Sequence, residues 1–235
     1  MARGSRSRSG TGASAAVLGW AFGDALWALF LSALGEVDHS VAGVVVYGGP
    51  FNAIEEDRHP FLRDEARWIE RCMRRQVPLL GIVAGRCFAG NAALLGCCDV
   101  IIATRDTSVG MGGPAMIEGG GLGLVKPTDI GDINVQTANG VVDIRVANEE
   151  AAVAAAKQYL SYFQGPLSTW TRHPDDVMRE LIPEQRTRVY DVRTVIDALA
   201  DIGTALELRP TFGIGILTVF MRVEGRVIGV IANNP

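Results

Sequence analysis

The sequence predicts an α/β domain, and three observations do so. Residues 77–83 carry Val77, Leu79, Leu80, Ile82 and Val83, a short apolar run that reads as a buried strand. Glycines at Gly85 and Gly90 then form a small-residue turn, and residues 91–98 follow with the Ala/Leu content of a helix. Apolar runs at Val41 to Tyr47 and at Val100 to Ala103 supply further strands. With 235 residues, 48% of them apolar, the chain can bury one large domain, or one and part of a second.

Residues 1–15 are rich in Arg, Ser and Gly and hold no acidic residue. A transit peptide, a disordered tail and a misplaced start share that composition; a disordered tail is the reading taken. Within residues 16–34, Trp20, Leu26, Leu29, Phe30 and Leu34 fall on one helical stripe. Asp24 breaks the apolar run, which is too short to span a bilayer, so a packed helix is predicted. The strand at Val41 ends in a Gly48-Gly49-Pro50 turn.

Pro60 suits the first turn of a helix whose apolar face is Leu62, Ala66, Ile69 and Met73. Its arginines, Arg63, Arg67, Arg71, Arg74 and Arg75, read as a solvated face. Residues 110–123 are so glycine-rich that an unstructured linker is one reading. Met111, Pro114, Met116, Ile117 and Glu118 interleaved with the glycines favour the other, a shaped wall beside a ligand.

Residues 132–146 alternate and are β-branched around an Asn139-Gly140 turn, which predicts extended structure. Asn148 is a good N-cap, with Glu149 and Glu150 in the first turn of a helix running to Phe163. Tyr159, Tyr162 and Phe163 read as packing or interface residues, and Gly165-Pro166 stops the helix. Residues 168–180 are polar and hold Pro174, as a linker would. Val195, Ile196 and Leu199 lie on a following helix; residues 214–222 and 226–232 then make a hairpin through Glu224-Gly225.

A net charge of −4 argues against a nucleic-acid-binding protein, which would show a basic face. Cys72, Cys87, Cys97 and Cys98 lack metal-site spacing and read as small core residues in a reducing compartment. His39, His59 and His173 stand in unrelated contexts, so no metal site is predicted.

The chemistry-bearing feature is the turn after Val83. A strand, a small-residue turn and a helix start aim backbone N–H groups at an anionic oxygen, and small residues let a ligand carbonyl approach the main chain. The same turn also occurs for close packing alone.

Gly85-Arg86-Cys87-Phe88-Ala89-Gly90-Asn91, with Asp99 beyond it, resembles the central turn of the crotonase superfamily. More narrowly, the chain resembles the carboxyltransferase subunits of biotin-dependent acyl-CoA carboxylases. Residues 110–123 (GMGGPAMIEGGGLG), 132–143 (DINVQTANGVVD), 189–199 (VYDVRTVIDAL) and 225–235 (GRVIGVIANNP) follow in that family's order.

The resemblance implies a crotonase-like (ClpP/crotonase) spiral of ββα units plus the start of a second such domain. The division is 1–15 tail, 16–167 first carboxyltransferase domain, 168–180 linker and 181–235 start of the second. It implies carboxyl transfer from carboxybiotin to the α-carbon of a short acyl-CoA, acetyl- or propionyl-CoA, with Ala89 and Gly90 as oxyanion-hole donors. Gly48, Gly49, Gly85, Phe88, Gly112, Gly113 and Pro114 are the implied substrate-binding residues. Phe88-Ala89-Gly90 stands where many relatives have Ala-Gly-Gly.

Biotin is expected on a separate biotin carboxyl carrier or biotin carboxylase partner, with no metal. A cytoplasmic homo-oligomer without nucleic acid or membrane is implied. The arginine face has contact with CoA phosphates as its alternative role. The two carboxylates of a hydratase would fall at Ala93 and near Gly113, which transfer no proton; Glu118 lies close but out of place. An isomerase or thioesterase of the same fold, or a non-catalytic CoA-binding or assembly chain, are the other readings.

Overall fold

The computed structural model describes residues 14–18, 41–47, 55–174, 176–185 and 187–235, with side chains from 55 onward except Phe61. In chain order its first strands are β1 (Ser14–Leu18), β2 (Val41–Tyr47), β3 (Leu79–Val83), β4 (Arg86–Phe88) and β5 (Val100–Thr104). They are followed by β6 (Ser108–Gly110), β7 (Ile144–Val146), β8 (Leu206–Leu208), β9 (Ile216–Val223) and β10 (Arg226–Asn233). The helices are α1 (Phe61–Arg74), α2 (Gly90–Leu95), α3 (Pro114–Gly119), α4 (Ile133–Ala138), α5 (Glu149–Ser161), α6 (Val177–Leu181) and α7 (Val192–Leu199).

Strands β1, β2, β3, β5 and β7 form one parallel sheet in that order. Leu80 pairs with Val100, and Ile102 with Ile144. β3 and β5 are buried at every position, the pattern of central strands covered on both faces. β4 and β6 make a separate two-stranded parallel pair, and β10-β9-β8 an antiparallel sheet.

On one side of the main sheet, Leu80, Ile82, Val100, Ile102 and Ile144 pack with Ala152, Ala156, Tyr159 and Leu160 of α5. Leu206, Leu208 and Phe220 of the antiparallel sheet join that core. On the other side Val83, Ile101 and Ala103 pack with Cys87, Val109 and, from α2, Ala92 and Leu95. This side supports the turn after β3.

α5 forms where its cap predicts: Asn148 Oδ1 accepts from Ala151 N at 2.9 Å, a contact worth about 1 kcal/mol. Its aromatic end is packing. Phe220 stacks on Tyr162 at 5.4 Å and meets Tyr159 and Phe163 edge-on. The hairpin through Glu224-Gly225 is present, both turn residues having positive φ, as a two-residue turn between twisted strands requires.

Four expectations are corrected. Ala16, Val17 and Leu18 belong to strand β1, not to a helix, and Ser14 and Ala15 of the expected tail lie in the same strand. Trp20, Leu26, Leu29, Phe30 and Leu34 lie outside the described residues. Residues 133–138 form helix α4, not a strand. Asp132 Oδ1 accepts from Asn134 N at 2.8 Å, and that cap overrides the β-branched content of Ile133, Val135 and Thr137.

On α1, Met73 is 48% exposed, while Glu65, Trp68 and Cys72 are buried beside Leu62 and Ile69, so the buried stripe is rotated from the expected one. The arginines of α1 do face solvent, with Arg74 on Glu70 at 2.7 Å and Arg63 on Glu56 at 3.1 Å. Cys97 is exposed and Cys98 half-buried, so only Cys72 and Cys87 are core cysteines. Burial pushes the Cys72 and Cys87 thiols up to about 11.

Candidate functional site

Leaving β3, the chain turns at Gly85, whose φ of 81° is left-handed. No atom lies within 4 Å of where its Cβ would be, so the backbone conformation, not space, calls for glycine there. Gly85 O accepts from Ser108 N at 2.8 Å, and β4 then pairs with β6 in the register Phe88 opposite Gly110.

At the end of β4 the backbone kinks. Ala89 has φ 52° and ψ −125°, a conformation that an L side chain resists at a cost of about 1–3 kcal/mol. The kink is held from both sides: Ala89 N donates to Gly110 O at 3.2 Å, and Ala89 O accepts from Ala93 N at 3.0 Å. Gly90 is therefore the first residue of α2, and Ala89 at the N-cap offers no side-chain acceptor. The Gly90 N–H has no acceptor among the described residues. The two amides of the expected donor pair thus differ: one is tied into the turn and one is open.

The glycine-rich segment after β6 forms the facing wall. Gly113 caps α3 in extended conformation, with Pro114 in its first turn. The Phe88 ring lies against this wall: it is 3.7 Å from a Cβ built on Gly110 and 3.8 Å from one built on Gly113. Met116 Sδ packs over Gly112, 3.3 Å from the corresponding position. Phe88, Ala89, Gly90, Gly112, Gly113 and Pro114 are brought together as a group. Met111, Met116, Leu122 and Leu124 leave this wall apolar and exposed. Gly48 and Gly49 lie outside the described residues.

Asp99 has a supporting role. Its Oδ2 accepts from Leu79 N at 2.8 Å and its N–H donates to Leu79 O at 2.8 Å, pinning the entry of β5 to β3. Asp143, which sequence reasoning passed over, pins the next strand. Its Oδ2 accepts from Ile101 N at 2.8 Å, and its Oδ1 from Arg209 Nε at 2.7 Å. Burial pushes its carboxyl up, against the pull of Ile101 and Arg209.

No cluster of three His, Cys, Asp or Glu fit to hold a metal occurs among the described residues, nor any helix long and apolar enough to cross a membrane. A groove of about 660 Å³ lined by Tyr162, Pro166, Leu167, Trp170 and Arg226 shares no residue with the turn.

A parallel sheet whose third strand feeds a kinked glycine turn and an uncapped helix defines a crotonase-like α/β fold. The chain belongs to the carboxyl transferase domain family, whose model matches residues 69–235. It is 29% identical over 170 residues to the methylmalonyl-CoA carboxyltransferase 12S subunit of Propionibacterium freudenreichii subsp. shermanii, covering 68% of this chain and 32% of that protein. To a propionyl-CoA carboxylase beta chain of Cereibacter sphaeroides it is 28% identical over 172 residues, covering 68% and 33%. A solved structure of a single-chain, multi-domain long-chain acyl-CoA carboxylase superposes with a TM-score of 0.73 at 45% identity, over 90% of this chain and 21% of that one. The chain thus spans about a third of the length of these curated relatives.

Proposed function

We propose that this chain supplies the first oxyanion site of a carboxyltransferase that moves a carboxyl group from carboxybiotin to the α-carbon of an acyl-CoA. The observation that carries the reading is the open Gly90 N–H behind the strained Ala89, in a chain of the carboxyl transferase family. When the α-carbon loses a proton, negative charge gathers on the thioester oxygen. A fixed N–H aimed at that oxygen stabilises it without reorganisation, which is commonly the largest catalytic term. Ala89 contributes the shape of the turn, since its own N–H is held by Gly110.

Carboxybiotin supplies the activated carboxyl group and arrives on a separate carrier protein. The oxygen left on it needs a second donor set, assigned to a second crotonase-like domain that begins in residues 181–235. Residues 16–167 are the first domain and 168–180 the join. The substrate proposed is a short acyl-CoA, acetyl- or propionyl-CoA, and the protein a cytoplasmic homo-oligomer. Gly48, Gly49 and Gly85 are proposed to border the same substrate, with Gly112, Gly113 and Pro114 facing them.

Equilibrium binding tests the reading. The chain is expected to bind propionyl-CoA saturably, and more tightly than free CoA because the thioester oxygen engages Gly90. Equal affinity for the two, or no binding of either, contradicts it.

A further inference from the structure

Phe88 is the one large side chain at the turn. It ends β4 two residues before Gly90, is half-buried, and reaches across to the opposite wall. Its ring contacts the positions where Gly110 and Gly113 lack side chains, so these two glycines make the room that the ring takes up. The remaining opening beside the Gly90 N–H is framed by the ring edge, Gly113 and α3. A thioester whose oxygen sits on that N–H must send its acyl carbons past this frame, because the bond from carbonyl carbon to α-carbon is only about 1.5 Å long.

We infer that Phe88 determines specificity: its ring limits the length of acyl group the site accepts, so the substrate class is acetyl- and propionyl-CoA and longer thioesters are disfavoured. This rests on the carboxyltransferase reading above. The physical basis is steric. An aromatic ring packed on two glycines has no adjacent space to swing into without losing those contacts, and well-packed side chains resist small volume changes. A pocket discriminates a missing or added methylene by roughly 10–200-fold.

The test is calorimetric titration of the full chain with CoA, acetyl-CoA, propionyl-CoA and hexanoyl-CoA, for the wild type, Phe88→Ala and Gly113→Ala. Wild type is expected to favour propionyl- over hexanoyl-CoA. Phe88→Ala should raise the hexanoyl/propionyl affinity ratio about tenfold or more. Gly113→Ala tests the same frame without touching the ring's own core contacts. Its added Cβ meets Phe88 at 3.8 Å, an ordinary contact, and Gly113 has an ordinary extended φ of −88°. It should lower the ratio, and it keeps the test intact if Phe88→Ala does not fold.

A wild-type preference for hexanoyl-CoA, or a ratio unchanged in both folded variants, overturns the inference while leaving the Gly90 reading in place. Thioesters bound no better than free CoA by the wild type would overturn the site itself, and the inference with it.

Discussion

Arg222 of β9 is 2% exposed and reaches Ser161, the last residue of α5, donating from Nη2 to its carbonyl oxygen at 2.6 Å. Its Nη1 donates to Gly165 O at 3.0 Å and Gly225 O at 2.7 Å, and its guanidinium lies 5.7 Å from the Tyr162 ring centroid. Beside it Asp201 accepts from Glu224 N at 3.0 Å and Gly225 N at 2.7 Å. One buried cation thereby ties the end of the helix behind the main sheet to the hairpin.

Replacing Arg222 is expected to destabilise the fold strongly. Arg222→Ala leaves three carbonyls without their donor, each costing about 1–3 kcal/mol when buried. A loss of at least about 3 kcal/mol by urea denaturation is expected. Arg222→Lys should recover little of it, because an ammonium on a flexible stem cannot reproduce the guanidinium fork. Wild-type stability in either variant would show that the hairpin docks by its apolar contacts alone.

At Ala89 the expected effect has the opposite sign. Ala89→Gly removes the strain of φ 52°, about 1–3 kcal/mol, and adds about 0.5–1 kcal/mol of chain entropy to be lost on folding. The net expectation is a gain of about 1 kcal/mol. Equilibrium unfolding checks it, and a clear loss of stability would mean that the kink is not strained.

The cysteines divide by burial, and the pH dependence follows. Burial pushes Cys72 and Cys87 up to about 11 and Cys98 to about 12. Raised values keep these thiols neutral, and so unreactive, up to pH 9. Cys97 is exposed. A disulfide reagent at pH 8 should therefore modify one thiol per native chain rapidly, and all four after denaturation. Rapid modification of Cys87 in the native protein would contradict the packing under the turn.

Much of the site was legible because it is local. The apolar run of β3, the glycine at Gly85 and the small residues of α2 follow one another in sequence, and each has a backbone reason. The membership of the family was legible in the order of the motifs, and the family model covers the same stretch. Residues 132–138 misled because β-branched content points to strand while a single capping aspartate decides for helix.

What sequence did not reveal is pairing at long separation. Asp143 and Arg209 are 66 residues apart, and Arg222 and Ser161 are 61 apart. Nothing in composition or periodicity links such partners. The different fates of the Ala89 and Gly90 amides were equally hidden, since Gly110 reaches Ala89 only when β4 and β6 pair.

The central claim is that the Gly90 N–H receives the thioester oxygen, and one rate measurement tests it most directly. In the assembled carboxyltransferase that contains this chain, Gly90→Val places two methyl groups beside an N–H that remains in position. The helix should persist, since valine at a helix start costs only a few tenths of a kcal/mol relative to glycine or alanine; circular dichroism checks this. Carboxylation of propionyl-CoA is expected to fall by roughly 10²–10³, the scale of losing one oxyanion donor. A folded Gly90→Val enzyme that carboxylates propionyl-CoA at a near wild-type rate would contradict the assignment.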